Sequence, residues 1–355
     1  MGNGTAVAAA AQAEQPERVV RPEFTGSAAE YFRIWIVNLF FSLITLGVYS
    51  AWAKVRKKRY FYGATRFDGD SFDYFARPKA ILKGRIVAVA VFVIYAFAGD
   101  LYPDSRYAFW AVVAVAMPWL IVRAFSFNAR NSAYRGLRFH FSATWKEAAK
   151  LYLGMLAVLV LTLGLALPWC LARYKAFVVS HHAFGTTRFG CELPARSFFG
   201  IYIRAGLILT ALTVPIFAVM GFGMASMDKL PEQVGWMTYV IPIAGVYAAY
   251  AVVYAYTTAR ATNLQWNNTF GPGVRFTSTL GARKLARLYI GNVIAVACTA
   301  GLLIPWAVVR TLRYRFDNLA MHVSDEVVHE ANPAVAPVGA IGQELGDIFN
   351  LDLGI

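Results

Sequence analysis

The chain has 355 residues, of which 58% are hydrophobic and 15% are charged, and its mean hydropathy is +0.48. Soluble globular chains contain about 45–50% apolar and about 25% charged residues, so this composition excludes an ordinary soluble globule and favours a protein surrounded by lipid. The formal net charge is +14, and every Lys and Arg lies at or before Arg315. A basic body bordering long apolar runs predicts anionic membrane lipid, rather than nucleic acid, as its partner.

Both ends of the chain differ in composition from its middle. Residues 1–21 include an alanine-rich stretch without a basic region or a long apolar core, which predicts a disordered lead rather than a signal peptide. Residues 22–320 contain all the long apolar runs and are predicted to form one transmembrane domain. Residues 321–355 contain acidic residues but no Lys or Arg, and they are predicted to form an acidic tail.

Seven apolar stretches approach the length of about 20 residues that crosses a bilayer. They cover residues 34–53, 81–98, 107–122, 151–172, 205–225, 237–259 and 288–309. None of them contains Asp or Glu, which disfavours a proton-coupled carrier because such carriers place ionisable groups inside the bilayer. The predicted fold class is an all-α multi-pass membrane protein.

An internal repeat joins three of these stretches. The pattern Thr-x-Gly-x4-Trp-x3-Arg-x3-aromatic begins at Thr45 and recurs 117 and 254 residues later, at Thr162 and Thr299. The three repeat cores are residues 24–60, 141–177 and 278–314. A repeat of this length without gaps indicates three equivalent structural units, although it carries no chemistry by itself.

Capping-box patterns open the first two repeat units, with Ser27 three residues before Glu30 and Thr144 three residues before Glu147. The third unit has Gly281 at the equivalent position and lacks the box, so a frayed helix start is expected there.

Polar segments between the apolar stretches share an Arg-Phe pair flanked by glycines. The pairs are Arg66-Phe67, Arg138-Phe139, Arg188-Phe189 and Arg275-Phe276. Aromatic residues between glycines predict short hairpins beside the membrane, here on the cytoplasmic side. Alternatively, these aromatics only anchor the chain at the membrane interface.

Positive charge distinguishes two topologies. Seven full spans divide the 34 Lys and Arg residues 20 to 14 between the two sides, which agrees poorly with the positive-inside rule. If the repeat segments turn back at Gly47, Gly164 and Gly301, the division becomes 32 to 2 with both termini in the cytoplasm. Each repeat segment is nevertheless long enough for one full crossing. We favour four full spans (81–98, 107–122, 205–225 and 237–259) and three re-entrant or interfacial hairpins.

The first repeat unit resembles the YjgN family of bacterial inner-membrane proteins. The resemblance rests on Phe24-Thr25-Gly26, Tyr31-Phe32, Val37-Asn38, Thr45-Leu46-Gly47-Val48-Tyr49, Ala51-Trp52-Ala53-Lys54 and Arg59-Tyr60. It extends over most of residues 22–320, and the second and third units are more diverged. The resemblance implies a multi-pass inner-membrane protein of unknown function, and it supplies no catalytic residues.

The sequence offers few groups for catalysis or metal binding. It contains no HExxH, nucleophile-elbow or phosphate-loop motif, so we expect a non-enzyme without cofactor or metal. The pair His181-His182 is interpreted as an interfacial pair that titrates near neutral pH rather than as a metal site. Asp68, Asp70 and Asp73 are interpreted as a turn facing the basic cluster 54–59 rather than as a cation loop.

Candidate lipid-binding residues lie at the ends of the apolar stretches. A Trp-to-Arg step of four residues recurs, and it predicts a guanidinium at phosphate depth beside an aromatic anchor. The candidate headgroup residues are Lys54, Arg56, Lys57, Lys58, Arg59, Arg123, Arg173 and Arg310, and the interfacial aromatics are Trp52, Trp119, Trp169 and Trp306. Alternatively, these basic residues only fix the orientation of the chain. The intramembrane amides Asn38 and Asn292 are predicted to join helices or, alternatively, to contact a substrate.

Two functions follow from these patterns. The first is non-catalytic binding or passage of lipid-like amphiphiles at the cytoplasmic leaflet. The second is a scaffold that docks a protein partner through a short amphipathic face in the tail, formed by Leu345, Ile348, Phe349 and Leu351. Pro333 and Pro337 favour a disordered tail as the alternative to that docking face.

Overall fold

The computed structural model describes residues 18–102, 104–225 and 235–323. Within these ranges the helices are α1 (Ala28–Ile44), α2 (Ser50–Ala64), α3 (Pro78–Leu101), α4 (Ser105–Asn131), α5 (Trp145–Leu161), α6 (Leu167–Ser180), α7 (Ala195–Ala225), α8 (Met237–Asn267), α9 (Ala282–Cys298) and α10 (Ile304–Asp317). The strands are β1 (Arg18–Val20), β2 (Glu23–Phe24), β3 (Thr65–Phe67), β4 (Asp70–Tyr74), β5 (Ser132–Tyr134), β6 (Leu137–Phe141), β7 (His182–Phe184), β8 (Thr187–Arg188), β9 (Gly190–Cys191), β10 (Thr269–Gly271), β11 (Val274–Ser278) and β12 (Leu319–Val323).

Four of the helices, α3, α4, α7 and α8, are long and apolar enough to cross a membrane. They contain the four stretches predicted to span fully, and they make the chain a multi-pass membrane protein. The other six helices have 14 to 17 residues and form three consecutive pairs, α1–α2, α5–α6 and α9–α10. Each of these pairs occupies one apolar stretch of the sequence repeat.

The three short pairs turn at their Thr-x-Gly sequences with one backbone geometry. The middle residue and the glycine both have positive φ, with values of 49° and 89° at Leu46 and Gly47 and nearly the same values in the other two turns. Glycine adopts this conformation without the steric cost of a Cβ. The Gly47 N–H donates to the Ser42 carbonyl five residues earlier at 2.7 Å, and the same bond closes the helices before Gly164 and Gly301.

The threonine of each turn connects the two helices. Thr45 Oγ1 donates to the Phe41 carbonyl at 2.7 Å and accepts from the Tyr49 N–H at 2.9 Å. Thr162 and Thr299 make the same two bonds. Because the first N–H groups of a helix have no partner within that helix, this hydroxyl satisfies a donor at the start of each returning helix.

The helix starts differ in how their N-terminal N–H groups are satisfied. Thr144 and Glu147 form the complete capping box, with the Glu147 carboxylate accepting from the Thr144 N–H at 2.7 Å. In the first unit Ser27 Oγ accepts from the Glu30 N–H, but the Ser27 N–H donates to Tyr60 Oη at 2.9 Å.

At the third helix start the N-cap N–H has a partner although the capping box is absent. The Gly281 N–H donates to Tyr314 Oη at 3.0 Å. The fraying expected there stays a prediction. Tyr60 and Tyr314 hold the final aromatic position of the repeat pattern, and the second unit has Phe177 there. The carboxylate of Glu147 therefore performs in the second unit the function that a tyrosine hydroxyl performs in the other two.

The strands form a closed antiparallel ring that the all-α prediction does not include. One sheet has the order β2-β3-β4-β5-β6-β7-β8, and the other has the order β1-β12-β11-β10-β9. β1 and β2 are halves of one segment, residues 18–24, and β8 and β9 are halves of another, residues 187–191. Because these two segments pair into both sheets, the ladder closes, and each predicted Arg-Phe pair lies on or directly beside one of its hairpin strands.

All five consecutive helix pairs leave this ring on one strand and return on the strand beside it. The bracketing strands are β2 with β3, β4 with β5, β6 with β7, β9 with β10, and β11 with β12. The last helix, α10, packs against the first, where Arg313 donates to the Gly26 carbonyl at 3.1 Å. Both ends of every helix pair therefore lie at the same end of the molecule.

The tip of the first short pair reaches only part of the way along its neighbour. Arg85 of α3 donates to the Gly47 carbonyl at 3.4 Å and also bonds Ser50. Since α3 begins at Pro78, Arg85 lies roughly 10 Å from its start at 1.5 Å per residue, whereas the whole helix is roughly 36 Å long.

Candidate functional site

Arginines lie over aromatic rings at the repeated Trp-to-Arg steps. The guanidinium carbon is 5.3 Å from the Trp119 ring centroid for Arg123, 5.6 Å from Trp169 for Arg173 and 4.9 Å from Trp306 for Arg310. Residues four apart lie on the same face of a helix, which is why this spacing brings ring and cation together. A cation over an aromatic face is attracted by the ring quadrupole.

The first unit differs from this arrangement. Trp52 stacks with Tyr49, with ring centroids 6.3 Å apart, and Arg56 is exposed. Sequence reasoning missed a further pair on α8, where Arg260 lies 5.9 Å from the Tyr256 ring. The signal was present, because the Tyr256-to-Arg260 spacing on α8 is the same as the Trp119-to-Arg123 spacing on α4.

The basic cluster 54–59 divides between two environments. Arg59 donates to the Tyr74 carbonyl at 3.2 Å, and Lys58 Nζ donates to Asn128 Oδ1 at 3.0 Å. These two side chains therefore hold α2 against β4 and α4. Arg56 and Lys57 are exposed, and Lys54 is partly buried. The structure does not gather the five residues into one patch.

A second lysine–amide contact repeats the first. Lys175, which lies 117 residues after Lys58, donates to Gln265 Oε1 at 2.7 Å. Gln265 on α8 and Asn128 on α4 occupy equivalent places, each four residues before the strand that follows its helix. The backbone carbonyl of each residue accepts a hydrogen bond from the hydroxyl of the first residue of that strand, Thr269 and Ser132 respectively. In the sequence, the signal for this contact is that Lys58 and Lys175 occupy equivalent positions in the first two repeats, which are 117 residues apart.

Asn38 and Asn292 lie between the two arms of their helix pairs. Asn38 Nδ2 donates to the Ala53 carbonyl at 3.4 Å, and Asn292 Nδ2 donates to the Ala307 carbonyl at 3.2 Å. Both residues are buried, and Asn292 also accepts from Arg310 at 3.3 Å. This geometry favours the helix-joining interpretation over a substrate contact.

Asp68 and Asp70 of the β3–β4 hairpin pair with arginines outside the cluster 54–59, so the prediction is wrong for these two residues. Asp68 pairs with Arg18 and with Arg135 at 3.0 Å, and Asp70 pairs with Arg135 at 2.5 Å. The β1 and β5–β6 segments bring these arginines to the hairpin tip, a proximity that depends on strand order. Within the described ranges no group of three His, Cys, Asp or Glu side chains has a geometry suited to a metal ion.

One residue of the histidine pair, His182, also differs from its prediction. His182 lies on β7 with its ring 4.9 Å from the Phe141 ring and Nδ1 2.7 Å from the Val178 carbonyl. Burial lowers the pKa of His182 to about 4, so this residue is neutral at neutral pH. His181 ends α6, with Nε2 4.0 Å from the Glu147 carboxylate.

The apolar spans and the arginine–aromatic pairs describe a multi-pass membrane protein with basic, amphipathic groups near one end. The chain belongs to the family described as bacterial protein of unknown function (DUF898), whose model matches residues 20–348. This match confirms the resemblance drawn from the first repeat unit.

Curated relatives of this chain are named for their location. Over 129 residues the chain is 29% identical to the inner membrane protein YjgN of Salmonella typhimurium and 26% identical to that of Escherichia coli K12. The matched stretch is 35% of this chain and 32% and 31% of these relatives, so the chain aligns with about a third of their length. No solved structure matches the chain.

Two predicted segments lie outside the described residues. They are residues 1–17 of the lead and residues 324–355 of the acidic tail, including the proposed docking face. The described part begins and ends in paired strands, since β1 and β12 are neighbours in the ring.

Proposed function

We propose that this protein is a non-catalytic inner-membrane protein that binds anionic lipid headgroups at the cytoplasmic leaflet. The inner-membrane location is supported by the names of the relatives in Salmonella and Escherichia. The observation that carries the headgroup function is the recurrence of an arginine held over an aromatic ring, at Arg123, Arg173 and Arg310.

The strand ring supports one orientation in the membrane. All five helix pairs begin and end at the ring, so the ring and the basic helix ends share one side of the membrane, which is the cytoplasmic side by the positive-inside rule. Four long helices cross the bilayer, and the three short pairs are re-entrant. The contact between Arg85 and the Gly47 carbonyl supports a shallow re-entry for the first pair.

The arginines suit a phosphate-bearing headgroup. Stacking on the ring uses the face of the guanidinium and leaves N–H donors at its edge that can bond phosphate oxygens. Arg310 shares one of these donors, on Nη1, with Asn292 Oδ1 at 3.3 Å. Arg173 and Arg310 are exposed, and no described ion pair includes either of them. Each basic residue near an anionic leaflet contributes about 1 kcal/mol of attraction.

Native mass spectrometry tests this function. Protein purified in mild detergent should retain anionic phospholipid, and the triple variant with Arg56→Gln, Arg173→Gln and Arg310→Gln should retain much less. A matched control replaces Arg66, Arg77 and Arg275, which are exposed arginines on the strands or at a loop, and it removes the same charge. Equal retention by both triple variants would contradict the proposal.

The acidic tail supports a second candidate function. In the sequence it follows directly on β12, whose last residue, Val323, lies in the strand ring with the ring arginines. We propose that it docks a protein partner there. Deletion of residues 324–355 should remove a protein that co-purifies with the full chain, and an unchanged set of co-purifying proteins would contradict this second function.

A further inference from the structure

The ring of strands places most of its charged and most of its aromatic side chains on opposite faces. Successive residues of a strand point to opposite faces, so paired residues can be followed around the ring. The register places Arg138 opposite Ala133, His140 opposite Ala183, and Ala183 opposite Arg188. These residues share one face, which we call the arginine face, and the other face carries aromatic residues that include Phe72, Tyr134, Phe139 and Phe184.

Three cationic or titratable side chains converge on the arginine face near α4. His140, Ala183 and Arg188 lie in one row across β6, β7 and β8, and Ala183 is fully buried. The alanine methyl leaves room for the two longer side chains on either side. Arg130 lies in the last turn of α4, two residues before β5 begins. β5 pairs with β6, the strand that carries His140, so the end of α4 lies near His140.

Side-chain nitrogen atoms in this cluster are buried without hydrogen-bond partners. Arg130 Nε and Nη1 and His140 Nδ1 form no hydrogen bond in the described structure. None of the ion pairs among the described residues includes Arg130 or Arg188. A buried unpaired donor carries a free-energy cost, which is larger for a charged group.

The local electrostatics agree with this arrangement. Burial lowers the pKa of His140, and the positive charges of Arg188 and Arg130 lower it further. Asp73 is an acidic residue on the same face, and it is exposed to solvent. It pairs with Ala133 on β5, and β5 lies two strands away from β7, which carries Ala183. The cluster therefore has excess positive charge and buried nitrogen atoms without hydrogen-bond partners.

The second half of the molecule builds the same helix–strand junction without counterparts of Arg130 and His140. The α8–β10–β11 segment repeats α4–β5–β6 at an offset of 137 residues, which places Asn267 and Thr277 at the positions of Arg130 and His140. Asn267 Oδ1 accepts from the Ser278 N–H at 2.6 Å, and Thr277 Oγ1 is 3.1 Å from His322 Nε2. The same helix–strand junction is thus built there from neutral groups that have partners.

We propose that Arg130, His140 and Arg188 form a binding site for a phosphate group. Two guanidinium groups offer paired donors to the oxygens of one phosphate, and the imidazole adds a third contact. The phosphate belongs to a lipid headgroup at the end of α4 or to a soluble phosphate compound from the cytoplasm. The site uses none of the three arginines replaced in the headgroup test, so the two proposals fail independently.

Two titrations of the full-length protein test this site. In detergent, inorganic phosphate is titrated against chloride at constant ionic strength while the thermal unfolding midpoint is followed. In nanodiscs, phosphatidylcholine alone is compared with phosphatidylcholine containing phosphatidic acid. A response to inorganic phosphate identifies a soluble source, and a response only to phosphatidic acid identifies a lipid source. No stabilisation in either titration would overturn the proposal.

Variants assign the response to these residues. Arg188→Gln should weaken the phosphate response about tenfold or more, since a hydrogen bond to a charged group is lost. Arg188 is exposed, so this variant should fold, and Arg130→Gln provides the second test. Arg275→Gln removes an exposed arginine from the same face on β11, which β10 separates from β9, and it should respond as the wild type does. Equal responses from Arg188→Gln and Arg275→Gln would contradict the assignment.

Discussion

Tyr314 accepts a hydrogen bond from the N–H of Gly281 at 3.0 Å, so the last residue of the third repeat closes the first turn of α9. Tyr60 makes the same bond to the Ser27 N–H in the first repeat. In the first and third repeats the aromatic end of the pattern is therefore a helix cap delivered from the returning helix, and it links the base of each of these two pairs.

Replacing Tyr314 with Phe tests this cap. The variant leaves the Gly281 N–H without its partner, and we expect it to lose about 1 kcal/mol of unfolding free energy, the usual effect of a lost N-cap. Denaturant unfolding in detergent measures the loss. Tyr247→Phe removes a hydroxyl from an exposed position on α8 and should change stability little. Equal losses in the two variants would show that Tyr314 does not act as a cap.

The turn glycine and a helical glycine of the same pair should respond in opposite ways to alanine. Gly164 has φ of +85°, so Gly164→Ala should destabilise the protein by about 1 kcal/mol through backbone strain alone, since no atom lies within 4 Å of the added Cβ. Gly154 lies inside α5 with equally open space, and Gly154→Ala should stabilise by up to about 1 kcal/mol. Thermal unfolding of both variants measures the difference, and a shared direction would contradict this account.

Acid should destabilise the protein through His182. Its folded pKa of about 4 lies below the usual value of 6.5, so between these values the unfolded chain binds a proton that the folded chain does not. Stability should therefore fall as pH falls from 6.5 towards 4, by at most about 1.4 kcal/mol per pH unit.

The variant His182→Phe isolates this effect. His140 has a lowered pKa as well and acts in the same direction, so the difference between wild type and variant reports His182 alone. The variant should show a shallower loss of stability over this pH range, measured by thermal unfolding at several pH values. Identical pH profiles would mean that His182 is not buried in its neutral form.

Reporter fusions after Asn128 and Ser180 distinguish re-entrant pairs from full spans. The two positions lie on either side of the α5–α6 pair, and both are close to the strand ring. Re-entry of α5–α6 places both reporters in the cytoplasm. Opposite locations would show that residues 151–172 cross the bilayer, and the charge division of 32 to 2 would then be lost.

Local features of this fold could be predicted from sequence, because short-range contacts determine them. The Thr45 turn depends on residues within five positions of Gly47, and the Trp306-to-Arg310 contact depends on one helical turn. The four long spans follow from apolar length alone.

The strand ring could not be predicted in this way. Its closure pairs Val20 with Met321 and Cys191 with Thr269, and no local pattern specifies which short strands become neighbours. The cluster of Arg130, His140 and Arg188 depends on that register, so it becomes visible only once the ring is known. The partners of Asp68 were mispredicted for the same reason.

Closure of the ring also constrains biosynthesis. β12 fills the gap between β11 and β1, so the first and the last strands of the described residues are neighbours in the folded protein. Until Val323 has been translated, the nascent chain exposes two unpaired strand edges, which are templates for aggregation. A premature stop before Leu319 would therefore leave a protein that has all four spans but lacks β12, so that the edges of β1 and β11 stay unpaired.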